Sequence, residues 1–132
     1  MLTLTAPDGS PITVDGTLVV RARRTVVGEH HGENSEARTR IDWAIMSLVK
    51  EPIEQAAALV KAELPSFTAL TAQDGSRIWF NAKKAVGPLP ITPNQREGGA
   101  RSSIKIMNYR QYVTETPDQV REVIRTAGGR PV

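Results

Sequence analysis

The residues best suited to chemistry in this 132-residue sequence are arginines at alternate positions in two stretches of the chain. Arg21 and Arg23 lie in the first stretch, and Arg38 and Arg40 lie in the second. If the two stretches are neighbouring strands of a hairpin, their guanidinium groups share one face, and such like charges repel unless an anion lies among them. Guanidinium groups pair with phosphate and carboxylate oxygens. This basic hairpin face therefore predicts binding to nucleic acid or to an acidic protein surface.

A second interpretation of the same arginines is a solvated face that deters strand pairing with other chains. Nearby carboxylates at Glu29, Glu33 and Asp42 would then neutralise the arginines locally. The chain has 17 Lys and Arg against 14 Asp and Glu, a net charge of +3, which permits an anionic partner without requiring one. Both interpretations stay open at this point.

The carboxyl-terminal half has its own candidate contact residues. Lys84, Arg101 and Lys105 place further cations on the equivalent face, so a basic surface on both halves would track a phosphate backbone. Alternation from Ile78 puts Trp79 on the outward face beside Arg77, where it would anchor a partner or stack on a base. The alternative role for Trp79 is to seal a contact between the two halves or between two copies of the chain.

No pattern in the sequence indicates catalysis. Glu29-His30-His31-x-Glu33 contains possible metal ligands, but adjacent histidines in a Gly-flanked loop lack a fixed coordination geometry, and we expect no metal and no cofactor. Asp8-Gly9-Ser10 and Asp74-Gly75-Ser76 have the composition of hairpin turns. Because cysteine is absent, thiolate chemistry and disulfides are excluded. We expect a protein that is not an enzyme.

The sequence motifs of the elements that position these residues occur twice in the chain. Leu4-Thr5-Ala6-x-Asp8-Gly9-Ser10 recurs as Leu70-Thr71-Ala72-x-Asp74-Gly75-Ser76, and Ala37-Arg38-x-x-Ile41 recurs as Ala100-Arg101-x-x-Ile104. This period is too long for a solenoid and predicts a duplicated small domain. We expect two tandem copies, residues 1–65 and 66–132, related by a pseudo-two-fold axis as in a fused homodimer.

Within each copy, the patterns predict an α+β fold of about five short antiparallel strands followed by one covering helix. The helices are predicted near 52–63 and near 117–127, the second with Thr116 and Gln119 as a capping box. A longer strand is predicted over 18–27, with Leu18, Val20, Ala22 and Val26 inward. Another is predicted over 37–45, with Ile41, Trp43 and Ile45 inward and Asp42 outward. The proline-rich stretch from Pro88 to Gly99 is predicted to be a loop.

In this order of elements, the second half resembles the small FlbD-like proteins that accompany flagellar genes, and similar bacterial and phage proteins. The matching motifs are Leu70-Thr71, Asp74-Gly75, Ile78-x-Phe80-Asn81, Tyr112-Val113-x-Glu115-Thr116 and Val120. The first half matches more loosely. The resemblance implies the fold and a small accessory or regulatory character, and it transfers no catalytic residues.

The leading functional hypothesis is therefore a non-enzymatic, intracellular binding or accessory module, with a possible regulatory role, that contacts a macromolecular partner. One alternative is a nucleic-acid-binding protein that uses the basic hairpin face. The other is a structural subunit of a phage or bacterial surface assembly, with homo-oligomerisation. Because the sequence lacks a stretch of eighteen uninterrupted apolar residues, no membrane partner is expected. The expected location is the cytoplasm, or the virion if the chain derives from a phage.

Overall fold

A computed structural model describes residues 1–29 and 31–132 of the chain. It divides the chain into two units, unit 1 (Met1–Pro65) and unit 2 (Ser66–Val132). The described residues form ten strands and three α-helices, and the strand pairs within each unit are antiparallel. The predicted α+β class is confirmed.

Unit 1 begins with a hairpin, continues with three antiparallel strands and ends with a helix. Its elements are β1 (Leu2–Thr5), β2 (Pro11–Val14), β3 (Arg21–Arg24), β4 (Thr39–Asp42), β5 (Met46–Val49) and α1 (Ile53–Glu63). The first turn uses Gly9 at φ +93°, a conformation that glycine adopts without the steric cost of a Cβ atom. Helix α1 buries Ile53, Ala56, Ala57 and Val60, the spacing of one helical face.

Unit 2 has the same order of strands, with one short helix inserted. Its elements are β6 (Phe67–Thr71), β7 (Arg77–Asn81), β8 (Ala85–Leu89), α2 (Pro93–Glu97), β9 (Ser102–Ile106), β10 (Tyr109–Val113) and α3 (Pro117–Thr126). Helix α3 begins at the predicted capping box, where Thr116 and Gln119 each accept a hydrogen bond from the other's backbone N–H. The buried side chains of α3 are Val120 and Ile124.

The two units contain matching long-range hydrogen bonds. In unit 1, the Glu51 carboxylate accepts a hydrogen bond from the Thr5 N–H at 2.9 Å, so the segment before α1 is joined to β1. In unit 2, the Glu115 carboxylate accepts from the Thr71 N–H at 2.9 Å, so the segment before α3 is joined to β6. The same residue types thus make the same connection within each unit.

The predicted strand over 18–27 is too long, although Ala22, one of its residues predicted to face inward, is buried. The chain forms a 3₁₀ turn at Gly16–Leu18, where the Asp15 carboxylate accepts a hydrogen bond from the Thr17 N–H, and β3 has only four residues. Leu18, predicted to face inward, lies within this turn and is 50% exposed, whereas Val19 is buried. Val26, also predicted inward, is 55% exposed.

The predicted strand over 37–45 is also too long. The Trp43 N–H donates to the Ile45 carbonyl at 2.9 Å, so the chain turns immediately after β4. As a result, Ile41 is buried as predicted, Trp43 is only half-buried, and Ile45 is 63% exposed. Asp42, predicted outward, is buried.

The proline-rich segment predicted to be a loop contains helix α2. Thr92 and Gln95 form a second capping box there, and Pro93 occupies the first helical turn. Proline is tolerated at that position because its missing N–H would have no partner within the helix. The sequence contains the capping-box signal for this helix, since Thr92 and Gln95 have the same spacing as Thr116 and Gln119.

Candidate functional site

Arg21 is buried, contrary to the prediction that it lies on the outward face. Strand pairing places Arg21 opposite Asp42, and its Nε donates to the Asp42 carboxylate at 2.8 Å. The exposed fractions of the two side chains are 5% and 4%. Burial lowers the pKa of the Arg21 guanidinium, an effect that the charge and hydrogen bond of Asp42 oppose. This arginine is a structural ion-pair partner within unit 1.

Arg23 and Arg40 are direct cross-strand partners on β3 and β4, and a carboxylate bridges them. The Glu29 carboxylate accepts from Arg23 Nη1 at 3.0 Å and from Arg40 Nη1 at 3.2 Å. Burial acts to raise the pKa of Glu29, but hydrogen bonds from Arg23, from the Val26 N–H and from Arg40 lower it overall. The repulsion expected between these two arginines is therefore relieved inside unit 1.

We call Arg21, Arg23 and Arg40 the arginine ladder. Arg40 Nε also donates to Asp42 at 3.0 Å, so Asp42 and Glu29 together hold all three guanidinium groups. Guanidinium groups already bound to carboxylates are poorly available to donate to an external phosphate, because the existing hydrogen bonds would have to break. The ladder matches the second interpretation only in its local neutralisation, because the three arginine side chains are 5%, 15% and 20% exposed and do not form a solvated face.

Arg38, the fourth predicted residue of the basic face, lies apart from the ladder. Its side chain is exposed, and it lines a concave pocket of about 310 Å³ in unit 1. The residues that line this pocket are Arg24, Thr25, Arg38, Pro52 and Ile53. The basic hairpin face predicted from the sequence is thus divided between an internal ion-pair network and an exposed pocket.

The two units differ sharply in charge. Unit 1 contains seven Lys and Arg against nine Asp and Glu, a net charge of −2, whereas unit 2 contains ten against five, a net charge of +5. Of the ten basic side chains of unit 2, nine are exposed; Arg121 is half-buried. The positive charge of the whole chain is therefore concentrated in unit 2.

Unit 2 has its own pair of cations across a sheet. Lys105 on β9 and Arg110 on β10 are direct cross-strand partners, and both are exposed. Arg110 donates to the Ser103 hydroxyl at 3.1 Å and to the Pro90 carbonyl at 3.0 Å. Within the residues that the structure describes, neither cation forms a salt bridge with a carboxylate. This pair lacks the internal counterion that Glu29 provides in unit 1.

Of the candidates that the sequence predicts in unit 2, the four cations, which include Arg77, are exposed, and Trp79 is not. Lys84 lies in the 3₁₀ turn Ala82–Lys84, Arg101 immediately precedes β9, and Lys105 lies within β9. The Trp79 ring is half-buried and stacks on Phe67 with the ring centroids 5.7 Å apart. The Arg77 guanidinium lies 6.0 Å from the Trp79 ring centroid. Trp79 thus packs within its own unit and is not the exposed anchor predicted.

Unit 2 also has a concave pocket, of about 270 Å³. Its walls contain three arginines, Arg96, Arg101 and Arg121. The remaining lining residues are Pro88, Leu89, Pro90, Ile91 and Pro117. Sequence reasoning identified Arg101 alone, because the convergence of Arg96 and Arg121 on it depends on how α2 and α3 pack. We call this the arginine pocket.

Metal binding finds no support in the described part of the chain, where no cluster of three or more potential His, Asp or Glu ligands occurs. His30 lies outside the described residues, and Glu29 is engaged by Arg23 and Arg40. Among the helices at residues 1–29 and 31–132, none has both the length and the apolar character needed to span a bilayer.

Comparison with known proteins returned no match to this chain among protein-family models, curated proteins or solved structures.

Proposed function

We propose that this chain is a non-enzymatic binding module whose unit 2 binds nucleic acid through the phosphate backbone. The observation that carries the proposal is the net charge of +5 on unit 2 together with the exposure of nine of its ten basic side chains. A polyanion gains affinity from such a surface because each neutralised phosphate releases condensed counterions. The interaction requires no base-specific contact.

The proposed binding surface lies on unit 2, whereas the sequence predicts it on the basic hairpin face of unit 1. The arginine ladder has its own carboxylates, whereas Lys105 and Arg110 lie across from each other with no salt bridge to a carboxylate among the residues that the structure describes. Like charges held together on a sheet cost free energy in the unbound protein. An external anion would relieve that cost in unit 2, which favours a polyanionic partner.

We further propose that units 1 and 2 are tandem copies of one ancestral domain. The repeated sequence motifs support this, as do the matching hydrogen bonds from Thr5 to Glu51 and from Thr71 to Glu115. Duplication followed by divergence of the surface accounts for one acidic and one basic unit. As part of the same proposal, the resemblance to FlbD-like proteins supports an accessory or regulatory role inside a bacterial cell or in a phage.

A binding titration with two charge-reversed variants tests the proposed function. Fluorescence anisotropy would measure the affinity of the full chain for labelled single-stranded and duplex DNA at low salt. We expect Lys84→Glu/Lys105→Glu to weaken binding by at least tenfold. The control is Arg24→Glu/Lys50→Glu, which makes the same charge change at exposed positions of unit 1 and should alter affinity by less than about threefold. Equal losses in both variants would contradict a role specific to unit 2.

A second candidate is association with a protein through the β4–β5 turn of unit 1. The specific observation is the exposure of two apolar side chains at that turn, Ile45 at 63% and Met46 at 49%. If this turn mediates self-assembly, the mass measured by sedimentation should rise with concentration and should fall to one chain in Ile45→Ser/Met46→Ser. A single-chain mass for the unmodified protein at high concentration would exclude self-assembly through this turn.

A further inference from the structure

We propose that the arginine pocket of unit 2 binds the phosphate group of one nucleotide. This inference rests on the proposed function and deepens it, because it names the position at which a phosphate would be held. The phosphate has two sources here, the monoester of a free mononucleotide and the diester within a nucleic-acid strand, and in both it is joined through a sugar to the flat ring of a base.

The cations of the pocket come from three separate elements. Arg96 belongs to α2, Arg101 immediately precedes β9, and Arg121 belongs to α3. Arg121 Nη1 donates to the Asp118 carboxylate at 2.7 Å, and its Nε donates to the Val132 carbonyl at 3.1 Å. Within the described residues, neither Arg96 nor Arg101 forms a salt bridge, so these two guanidinium groups are the ones available to donate to a phosphate. The monoester of a free nucleotide carries nearly two negative charges near pH 7, and the diester within a strand carries a single charge.

The remaining wall of the pocket is apolar and fixed in place. The Ser103 hydroxyl donates to the Leu89 carbonyl at 3.2 Å, and Arg110 donates to the Pro90 carbonyl at 3.0 Å. These hydrogen bonds tie the wall segment to β9 and β10 before any ligand arrives, which lowers the ordering cost of binding. An apolar wall beside guanidinium groups suits a phosphate that carries a ring better than it suits inorganic phosphate.

Unit 1 has a pocket at the corresponding place in its own chain. Arg38 precedes β4 as Arg101 precedes β9, and each lines a pocket with residues at the start of the unit's last helix. Both arginines are anchored through the backbone, with the Arg38 N–H donating to Val49 at 2.8 Å and the Arg101 N–H donating to Val113 at 2.9 Å. The recess is thus a feature of each unit's fold, and unit 2 supplies it with three arginines.

The test is an NMR titration of the full ¹⁵N-labelled chain with adenosine monophosphate and, separately, with inorganic phosphate. We expect the largest shifts at Ile91, Arg96, Arg101 and Arg121, with adenosine monophosphate binding at least fivefold more tightly than phosphate. Arg101→Ala should weaken adenosine monophosphate binding by at least tenfold, because one guanidinium–phosphate pair is lost. Arg101→Lys should retain part of the affinity, because charge remains without the planar fork.

The matched control is Arg125→Ala, which removes one charge from the same helix as Arg121. Arg125 is exposed, pairs with Glu122 and does not line the pocket. Its effect on adenosine monophosphate binding should stay within about twofold. Equal weakening by Arg101→Ala and Arg125→Ala in a chain whose spectrum shows it to be folded would overturn the proposal, as would shifts that lie outside the pocket.

Anisotropy with a labelled oligonucleotide separates this inference from the proposed function. If the oligonucleotide binds and Arg101→Ala weakens that binding more than Arg125→Ala does, the pocket holds a residue of the strand. If the oligonucleotide binds and the two variants change the affinities for the oligonucleotide and for adenosine monophosphate equally, the pocket inference is wrong and the proposed function stands. If adenosine monophosphate binds in an Arg101-dependent way while the oligonucleotide does not bind at low salt, the pocket takes free nucleotides and the proposed function is wrong.

Discussion

Replacing Glu29 with glutamine tests whether the arginine ladder is neutralised from within. The Glu29 carboxylate accepts two hydrogen bonds from Arg23, at 3.0 and 3.1 Å, and one from Arg40, at 3.2 Å. It also accepts one from the Val26 N–H at 2.9 Å, and its side chain is only 14% exposed. A glutamine has nearly the same shape, but it removes the negative charge and one acceptor oxygen.

The expected cost follows from these contacts. Hydrogen bonds to charged groups contribute about 1.5–3 kcal/mol each, and glutamine retains some of them as weaker neutral bonds. The unrelieved repulsion between Arg23 and Arg40 adds a few tenths of a kcal/mol. We therefore expect Glu29→Gln to lower the free energy of unfolding by about 2–3 kcal/mol at pH 7, measured by urea denaturation followed by tryptophan fluorescence.

The effect should depend on pH in one direction. Because the pKa of Glu29 is lower in the folded chain than its usual value, its stabilisation is fully present above that usual value. The stabilisation is lost as the pH falls through the folded-state pKa, so the unmodified protein and the variant should converge in acid. Glu33→Gln, an exposed change in the same segment, is the control and should cost less than about 0.5 kcal/mol. A cost for Glu29→Gln as small as that of the control, or one that persists unchanged in strong acid, would refute the reasoning.

Three further substitutions have definite expected outcomes. Asp42→Asn leaves the buried Arg21 charge without its carboxylate and should cost about 3 kcal/mol in urea unfolding, while adding Arg21→Met should recover part of that loss. Met107, at φ +55° in the two-residue turn between β9 and β10, occupies a conformation suited to glycine. Met107→Gly should therefore raise the melting temperature by a few degrees, whereas Met107→Ala should not. Glu115→Gln weakens the link to Thr71 and should cost about 1–2 kcal/mol; no measurable loss would show that the link contributes little.

Local features of this fold could be predicted from the sequence because their causes lie within a few residues. The turn at Gly9 and the cap at Thr116 depend on neighbours no more than three positions away. The exposure of Leu18 could not be predicted, since hydrophobic spacing alone does not distinguish a 3₁₀ turn before β3 from the start of a strand. The pair Thr92 and Gln95 is an equally local signal for α2, but the many prolines around it favour the prediction of a loop.

The candidate site was harder to predict because its chemistry depends on contacts between distant residues. The counterion of Arg21 is Asp42, 21 positions away, and the pairing register that brings them together is not visible in either segment alone. Glu29 was recognised as a possible neutralising group, but its bridging position between Arg23 and Arg40 required the fold of the intervening loop. Likewise, only the packing of α2 and α3 brings Arg96 and Arg121 to the pocket that Arg101 lines.

The salt dependence of nucleic-acid binding tests the central claim most directly. The affinity of the full chain for a labelled single-stranded oligonucleotide would be measured by anisotropy from about 50 to 200 mM salt, a range in which phosphate contacts dominate the change. The account predicts a linear fall of log affinity with log salt, with the slope reduced by about two in Lys84→Glu/Lys105→Glu and unchanged in Arg24→Glu/Lys50→Glu. A chain that does not bind the oligonucleotide at 50 mM salt, or a slope that changes equally in both variants, would contradict it.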